Sequence, residues 1–327
     1  QFGESVVMRL LDQSQGLLSL DKLGMPEALL DRFRAAIHSP HGLVLVTGPT
    51  GSGKTTTLYG ALSELNRPQV KVITVEDPVE YRLPRINQVQ VNSRIGLTFA
   101  NVLRSALRQD PDILMVGEMR DEETAEIGLR AAITGHLVLS TLHTNDAVST
   151  AVRLLDMGVA GYMVASSLRA VLSQRLVRRV CPMCAEEDPL DVFKRSWLRA
   201  AFGRESRNLS FKRGGGCAHC NNTGYRGRIG IFELLEMDDT LADALRRGAG
   251  EDFAAAVRNK QDFRSLATNA LDYAKEGITS LDEVIRVSGE LEHERKTGTS
   301  LAGASQTKLH LTKSTSESES AEYRYLE

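Results

Sequence analysis

The chain has 327 residues, and its 40 Lys and Arg nearly balance its 42 Asp and Glu, which leaves a formal net charge of −2 at pH 7. This balance provides no bulk attraction for a polyanion, so nucleic acid is not favoured as a partner. No run of about 18 apolar residues occurs and no signal-type segment begins the sequence, so we expect a cytoplasmic protein without direct membrane insertion.

The first part of the chain, residues 1–24, starts without a Met and contains a strand-like stretch at 5–11. We interpret it as the remnant of a preceding domain and its linker. A helix is expected to begin near Pro26. It is followed by apolar residues that share one helical face, namely Leu29, Leu30, Phe33 and Ile37.

The most informative stretch fits the pattern G-x-x-x-x-G-K-[ST]. It consists of Gly48, Pro49, Thr50, Gly51, Ser52, Gly53, Lys54 and Thr55. An apolar run at 43–47 precedes it and leucines at helical spacing follow it, which predicts a buried parallel strand, a turn and a helix. This arrangement directs backbone N–H groups and a helix N-terminus at phosphate oxygens. Lys54 would then reach the β- and γ-phosphates and the Thr55 hydroxyl would ligate Mg²⁺. The alternative is a glycine-rich turn that binds nothing.

A second apolar run, 71–75, ends in the acidic turn Glu76-Asp77-Pro78-Val79-Glu80. Ligands of open α/β sheets bind beyond the carboxyl ends of the strands, so these acids are expected to face the nucleotide. For Glu76 and Asp77 the alternative is a solvated loop position.

A third apolar run, 110–117, is closed by Glu118. An acid at this position of a P-loop protein positions Mg²⁺ or the attacking water, and Glu118 is our main candidate for that role. The alternative is that Glu118 only caps the next helix, although Asp121 is the better capping residue.

Two further segments carry candidate residues. In the helix predicted over 98–109, Arg104 and Arg108 are four residues apart and share one face, which suits a phosphate, a carboxylate of a neighbouring subunit or simply solvent. The strand predicted over 134–144 is bracketed by His136 and His143, and a neutral imidazole at a strand end either senses the γ-phosphate or is structural.

Four stretches follow one another in a fixed order: GPTGSGKTT at 48–56, TVEDPVEY at 74–81, RQDPDILMVGEMRD at 108–121 and TGHLVLSTLHTNDA at 134–147. Together they resemble the secretion ATPase superfamily of type II secretion and type IV pilus assembly. The resemblance covers residues 1–290. Within that family, YRLPRINQVQVN at 81–92 is most similar to the branch that serves the mannose-sensitive haemagglutinin pilus.

The resemblance implies roles for individual residues. Lys54 and Thr55 match the Walker A pair, Glu80 matches the catalytic glutamate, and Glu118 matches the Walker B glutamate. His136 and His143 match the histidine box that couples the nucleotide state to subunit movement. The remaining matches are arginines at the nucleotide site or subunit interface, namely Arg104, Arg108 and Arg120, and Arg9, which reaches the phosphates from the preceding domain.

The resemblance also extends the set of nucleotide-binding residues and implies an assembly. The predicted ATP contacts are Gly48, Pro49, Thr50, Gly51, Ser52, Gly53, Lys54, Thr55, Thr56, Arg9 and His136. Family members form hexameric rings that act on inner-membrane pilus or secretion platform proteins. The implied cofactors are ATP and Mg²⁺.

The four cysteines form two CxxC pairs, Cys181 with Cys184 and Cys217 with Cys220. In a chain of cytosolic character, such pairs indicate a metal rather than disulfides. Four thiolates close a tetrahedral shell, so a structural Zn²⁺ is expected, with His219 as a bystander. The alternative is four unmetallated thiols. The resemblance implies an assembly or secretion motor, because the pilus-retraction members lack this module.

We therefore predict an α/β fold with four successive parts after residues 1–24. A RecA-like P-loop core with a parallel sheet occupies 25–179, a tetracysteine zinc module 180–229, and a small helical subdomain 230–290, and the tail 291–327 is expected to be disordered. Ser280 and Glu283 read as a capping box that opens the last helix.

The predicted function is that of a cytoplasmic, peripheral inner-membrane ATPase motor that powers pilus or pseudopilus assembly. Two rival classes are a zinc-ribbon nucleic-acid motor and a nucleotide-binding scaffold without hydrolysis. A nucleic-acid motor predicts aromatic residues among the basic stretch 175–180, which has none. A scaffold without hydrolysis predicts that Lys54, Glu80 or Glu118 is missing, whereas all three are present.

Overall fold

The computed structural model describes residues 3–6, 18–203 and 209–289. Arg9, most of the strand expected at 5–11, and the tail expected to be disordered lie outside these residues. The described strands are β1 (Gly42–Thr47), β2 (Val72–Glu76), β3 (Asn87–Gln90), β4 (Ile113–Val116), β5 (Leu137–Leu142), β6 (Leu168–Val180), β7 (Ala185–Glu187), β8 (Lys212–Gly214) and β9 (Tyr225–Glu236).

The described helices alternate with these strands in the first half of the chain. They are α1 (Glu27–Ile37), α2 (Lys54–Leu65), α3 (Phe99–Ala106), α4 (Glu122–Ile133), α5 (Ala147–Asp156), α6 (Gly161–Ser167), α7 (Val192–Phe202), α8 (Asp239–Arg246), α9 (Gly250–Arg258) and α10 (Leu266–Lys275). Residues 281–289 are also helical. None of the described helices combines the length and the apolar character that crossing a bilayer requires.

Seven strands form the main sheet in the order β3-β2-β4-β5-β1-β6-β9. Each neighbouring pair from β3 to β6 is parallel, and β9 runs antiparallel to β6 at the edge. The predicted α/β class and the largely parallel sheet are confirmed. The antiparallel edge strand was not predicted.

Alternate residues of β1 enter two different cores. Leu43 and Leu45 pack with α3 to α6 on one face of the sheet, whereas Val44 and Val46 pack with α1 and α2 on the other. A strand covered on both faces has no polar positions, which explains the continuous apolar run in the sequence. Because its neighbours are parallel, the carboxyl ends of β1, β2, β4, β5 and β6 lie at one edge.

The helical subdomain predicted from Gly230 begins instead as a strand, since β9 continues to Glu236. Residues 230–235 are all buried, so they lack the alternation that marks a half-exposed strand in a sequence. The helices that follow are divided between two cores. Helices α8 and α9 share the core of α5 and α6, whereas α10 and residues 281–289 form a third core with α7, β6 and β9.

The last helical segment is attached to β6 through the buried carboxylate of Glu283. Glu283 accepts hydrogen bonds from the Arg178 backbone N–H at 2.9 Å and from the Arg178 and Arg286 guanidiniums. Burial alone would raise the pKa of Glu283, but these hydrogen bonds lower it to about 2. The Ser280 hydroxyl accepts from the Glu283 N–H at 3.3 Å, so the hydroxyl half of the predicted capping box is present while the Glu283 side chain bonds arginines.

We predict that Glu283→Gln lowers the free energy of unfolding at pH 7 by on the order of 2 kcal/mol, because a depressed carboxyl pKa is a stabilisation of the folded state. The folded-state pKa lies below the unfolded value, so this contribution is present above pH ~4.5 and decreases as the pH falls towards 2. Urea unfolding of both proteins between pH 7 and pH 3 measures it. The control is Glu186→Gln, which removes an exposed pair with Arg213 and should cost less than about 0.5 kcal/mol. If the free energies of unfolding of Glu283→Gln and wild type differ by the same amount at pH 7 and at pH 3, the stabilising role of the Glu283 carboxylate is contradicted.

Candidate nucleotide site and metal centre

The glycine-rich loop after β1 adopts a conformation that requires glycine at three positions. Gly48, Gly51 and Gly53 have φ of 147°, 81° and 90°. A Cβ on Gly48 would meet the Gln174 carbonyl oxygen at 2.4 Å, whereas a Cβ on Gly51 would project into open space. The loop therefore packs tightly at its base and presents open backbone at its tip, as a phosphate-binding loop does.

The N-terminus of α2 follows this loop and carries no side-chain cap and no acid in its first turn. Within the part of the chain that the structure describes, the buried Ser52 hydroxyl has no hydrogen-bond partner. Thr55 and Thr56 are exposed on the first turn. Uncapped N–H groups, this hydroxyl and the helix dipole together fit a phosphate group, which stays a prediction for the loop.

The Lys54 ammonium donates to the carbonyl oxygens of Gly48 at 2.8 Å and Pro49 at 3.1 Å. Burial lowers the pKa of Lys54 to about 8, the Glu118 charge opposes this shift, and the Arg175 charge adds to it. Among the described residues, the hydrogen-bond partners of this buried cation are two carbonyls, and an anion at the loop would stabilise its charge better.

Glu118 lies just beyond the end of β4, with 13% of its side chain exposed. One carboxylate oxygen contacts the Arg120 guanidinium at 2.5 Å, and the other lies 3.4 Å from His143 Nε2. Asp121, not Glu118, caps α4, since its carboxylate accepts from the Thr124 N–H at 2.8 Å. The capping alternative for Glu118 is therefore wrong, and its carboxylate faces the loop lysine.

His143 follows β5 and faces the same cluster. Burial lowers the pKa of His143, and the positive charge of Lys54 lowers it further, while the negative charge of Glu118 acts to raise it. The imidazole is therefore neutral at pH 7 and can both donate and accept a hydrogen bond.

The loop that carries His143 is fixed by three strands. The Thr47 hydroxyl at the end of β1 bonds to the Leu142 carbonyl at 3.0 Å and the Thr144 carbonyl at 3.1 Å. On β6, Arg175 donates to the Asn145 carbonyl at 3.1 Å. On β9, Glu233 accepts the first N–H of α5, from Ala147, at 2.7 Å, and the N–H of Leu266 at 2.9 Å.

Gln174 braces the phosphate-binding loop from β6. Its amide donates to the Ser52 carbonyl at 2.8 Å and accepts from the Thr57 hydroxyl at 2.7 Å. The sequence predicts no role for Gln174, Arg175 or Glu233. Each is a polar residue within an otherwise apolar run, and buried polar groups need hydrogen-bond partners, so this pattern could have identified them.

The acidic turn after β2 divides into a buried and a half-buried part. Glu76 is 3% exposed, and Thr74, Gln88 and Tyr59 donate to its carboxylate. The alternative that Glu76 is a solvated loop residue is therefore wrong. Asp77, by contrast, is exposed. Glu80 is half-buried on the same turn.

Several predicted site residues lie elsewhere. Arg104 pairs with Glu123, and Arg104 and Arg108 are both exposed on α3 and the turn after it. His136 precedes β5, so it lies at the amino edge of the sheet, opposite the phosphate-binding loop. Its ring nitrogen donates to the Ala131 carbonyl at 3.0 Å, at the end of α4. Within one chain, the predicted contact between His136 and the nucleotide is therefore wrong. Arg9 lies outside the described residues.

The four cysteine sulfurs all lie within 4.8 Å of one another at the tip of the β6–β9 hairpin. Measured Sγ–Sγ separations are 3.9 Å for Cys181–Cys217, 3.8 Å for Cys184–Cys220 and 3.7 Å for Cys217–Cys220. Tetrahedral coordination with metal–sulfur bonds of ~2.3 Å spaces sulfurs by about 3.8 Å, so the cluster fits one such ion.

The thiol environment also favours a cation. The N–H groups of Cys217 and Gly224 each point at the Cys220 sulfur at 3.3 Å. Burial by itself would raise the pKa of Cys220, but these donors lower it to about 6. Burial raises the pKa of Cys184 to about 12. Four sulfurs at this spacing, one of them with a lowered pKa, could hold a cation.

Comparison with known proteins gives one consistent family. Residues 1–286 match the family model described as type II/IV secretion system protein. The type II secretion system ATPase E of Vibrio cholerae is 50% identical over 288 residues, which cover 88% of this chain and 56% of that protein. The type IV pilus assembly ATPase PilB of Myxococcus xanthus is 48% identical over 285 residues, which cover 87% and 50%.

The chain thus spans about half the length of the curated relatives it matches. Among solved structures, the pilus retraction motor PilT with bound ADP is similar, with a TM-score of 0.62 and 29% identity. The match covers 83% of this chain and 67% of that one.

We predict that the purified chain contains one divalent metal ion and that Cys184→Ser loses it, because three thiolates leave the shell open. Metal content by mass spectrometry and thermal unfolding measure the effect, and Cys184→Ser should unfold at a lower temperature. His219→Ala is the matched control in the same turn and should keep the metal. Metal loss in His219→Ala, or full metal content in Cys184→Ser, would contradict the four-sulfur assignment.

Proposed function

Since the chain belongs to the type II/IV secretion system protein family, we propose that it is the ATP-hydrolysing part of a motor for type IV pilus assembly or type II secretion. The observation that carries the proposal is the cluster at the carboxyl edge of the sheet. There, Glu118 bridges Arg120 and His143 and acts electrostatically on the buried lysine of the phosphate-binding loop.

The nucleotide would bind with its phosphates on the loop of residues 48–55. Lys54 would exchange its two carbonyl partners for β- and γ-phosphate oxygens, and the open N-terminus of α2 would receive the same charge. The PilT relative holds ADP, which supports an adenine nucleotide. Thr55 would hold Mg²⁺, which when bound offsets phosphate charge.

Hydrolysis needs a water held in line with the γ-phosphorus. Glu118 would orient that water, and Glu80 from the neighbouring turn would accept its proton. Neutral His143 would donate a hydrogen bond to phosphate or water, and Arg120, released from Glu118, would stabilise the developing charge.

The motor would be a hexameric ring, in which exposed arginines such as Arg104 and Arg108 act across subunit interfaces. Its site would be the cytoplasmic side of the inner membrane, where it would drive platform proteins. The relatives include both a secretion and a pilus ATPase at similar identity. The finer resemblance to the mannose-sensitive haemagglutinin pilus branch stays a prediction.

The cysteine cluster would hold Zn²⁺ in a structural role. Four sulfurs complete a tetrahedral shell and leave no position for a substrate. The rival nucleic-acid motor is disfavoured because two of the three arginines in the basic stretch 175–180 have partners within the chain. Arg175 is buried, and Arg178 pairs with Glu283 and lies 4.0 Å from the centroid of the Tyr225 ring.

We predict that Glu118→Gln still binds ATP but that its kcat is about 10²–10³-fold lower, because a neutral amide does not polarise the attacking water as a carboxylate does and does not balance the site charge. Phosphate release and binding of a fluorescent ATP analogue measure the two effects. Glu126→Gln on α4 is the matched control, since Glu126 lies outside the site and pairs with exposed Arg130. Full turnover in Glu118→Gln would contradict its role.

The assembly is tested by measuring the specific activity and particle mass of wild type at several protein concentrations. A ring motor should become more active per chain as it assembles. Tight ATP binding without hydrolysis in any assembled state, by wild type as well as Glu118→Gln, would favour the non-hydrolysing scaffold.

A further inference from the structure

A buried polar network joins the helix of the phosphate-binding loop to the turn that carries Glu80. At its centre is the Glu76 carboxylate at the end of β2. The Thr74 hydroxyl donates to one oxygen at 2.5 Å, and the Gln88 amide donates to the same oxygen at 3.1 Å. The Tyr59 hydroxyl donates to the other oxygen. Among the described residues, the donors to this carboxylate therefore come from α2, β2 and β3.

Tyr59 is the member of this network that touches both sides of the site. It lies on α2, the helix whose first turn contains Lys54 and Thr55, and it is 1% exposed. Burial and then the hydrogen bond to Glu76 raise its pKa. The hydroxyl therefore stays protonated and donates to Glu76.

The far side of the turn is held by two glutamines of edge strand β3. The Gln88 amide donates to the Tyr81 carbonyl at 3.0 Å and accepts from the Leu83 N–H at 2.7 Å. The Gln90 side chain accepts from the Val79 N–H at 3.3 Å. The backbone from residue 79 to residue 83 is thus fixed on both sides of Glu80.

The ring of Tyr59 adds a contact to the same turn. Its centroid lies 6.3 Å from that of Tyr81, with the two planes at 73°, an edge-to-face arrangement. The ring of Tyr59 therefore contacts the turn that carries Glu80, and its hydroxyl is linked to the same turn through Glu76 and Gln88. A residue that served only the core of α2 would not need the hydrogen bond to Glu76.

We propose that Tyr59 is a positioning residue for Glu80, which sets the distance between the acidic turn and the phosphates through one rigid helix. This inference rests on the proposed function, in which Glu80 acts on the attacking water. Lys54 and Thr55, which would hold the nucleotide, lie on the same helix as Tyr59. Tyr59 contacts the Glu80 turn through its ring and through the hydrogen bonds of Glu76 and Gln88, so movement of α2 also moves this turn.

The test is Tyr59→Phe in the 327-residue chain, which keeps the ring and removes the hydroxyl. We expect kcat to fall by about tenfold or more while the KM for ATP changes by less than about twofold, because binding groups are untouched and only Glu80 is displaced. Amide hydrogen exchange of residues 79–83 should become faster.

The matched control is Tyr273→Phe, which removes a buried hydroxyl that donates to the Gly24 carbonyl at 2.5 Å. It should lower thermal stability without changing kcat or exchange at 79–83.

A second variant covers the case in which Tyr59→Phe fails to fold. Gln88→Met lies on the edge strand, removes the other brace of the turn, and should lower kcat with an unchanged KM. If both variants fold, the double variant should lose less than the product of the single losses, because both act on one segment. A wild-type kcat in folded Tyr59→Phe, or in Gln88→Met where Tyr59→Phe does not fold, would overturn the inference.

Failure of the proposed function has a different signature. In that case wild type and Tyr273→Phe release no phosphate, or Glu80→Gln turns over as fast as wild type. If wild type is active and Glu80→Gln is not, the proposed function stands and the Tyr59→Phe result decides the inference alone.

Discussion

The parallel pairing of β1 with β5 on one side and β6 on the other is the constraint on which the candidate site depends. Thr47, the last residue of β1, lies opposite Leu142 and Ser173. The phosphate-binding loop, the His143 loop and the Gln174 brace therefore leave the sheet at the same edge. A slip of one residue in either pairing would turn every side chain of the strand to the other face.

The charges at this edge compensate one another. Lys54 is buried on two carbonyl oxygens, and Glu118 is held between a cation and a neutral imidazole. Buried charges need partners. A phosphate anion at the loop would therefore be a better partner for Lys54 than the two carbonyls, and it would also change the electrostatic surroundings of Glu118. In the proposed mechanism, ligand binding thus redistributes existing ion pairs, and the new electrostatic contacts favour the transition state.

The β6–β9 hairpin connects two features that are far apart in the sequence. Its base braces the site through Gln174, Arg175 and Glu233, and its tip carries the cysteine cluster. Glu233 accepts N–H groups from the first turns of α5 and α10, so one carboxylate joins the His143 loop to the C-terminal helices. The third core and the buried Glu283 tie the same hairpin to the last helical segment.

The phosphate-binding loop, Glu118 as the acid at the end of its strand, and the cysteine set are all predictable from the sequence, because each depends on local backbone geometry or on short spacing. The apolar runs likewise predict the α/β class. Only the tertiary structure showed that Gln174 reaches Ser52 across 122 residues and that Glu233 reaches Ala147 across 86. It likewise corrected two predictions. His136 lies at the wrong end of its strand, and residues 230–235 form a strand rather than a helix. Long-range hydrogen bonds arise from packing between distant segments, so a local sequence pattern does not show which residues they join.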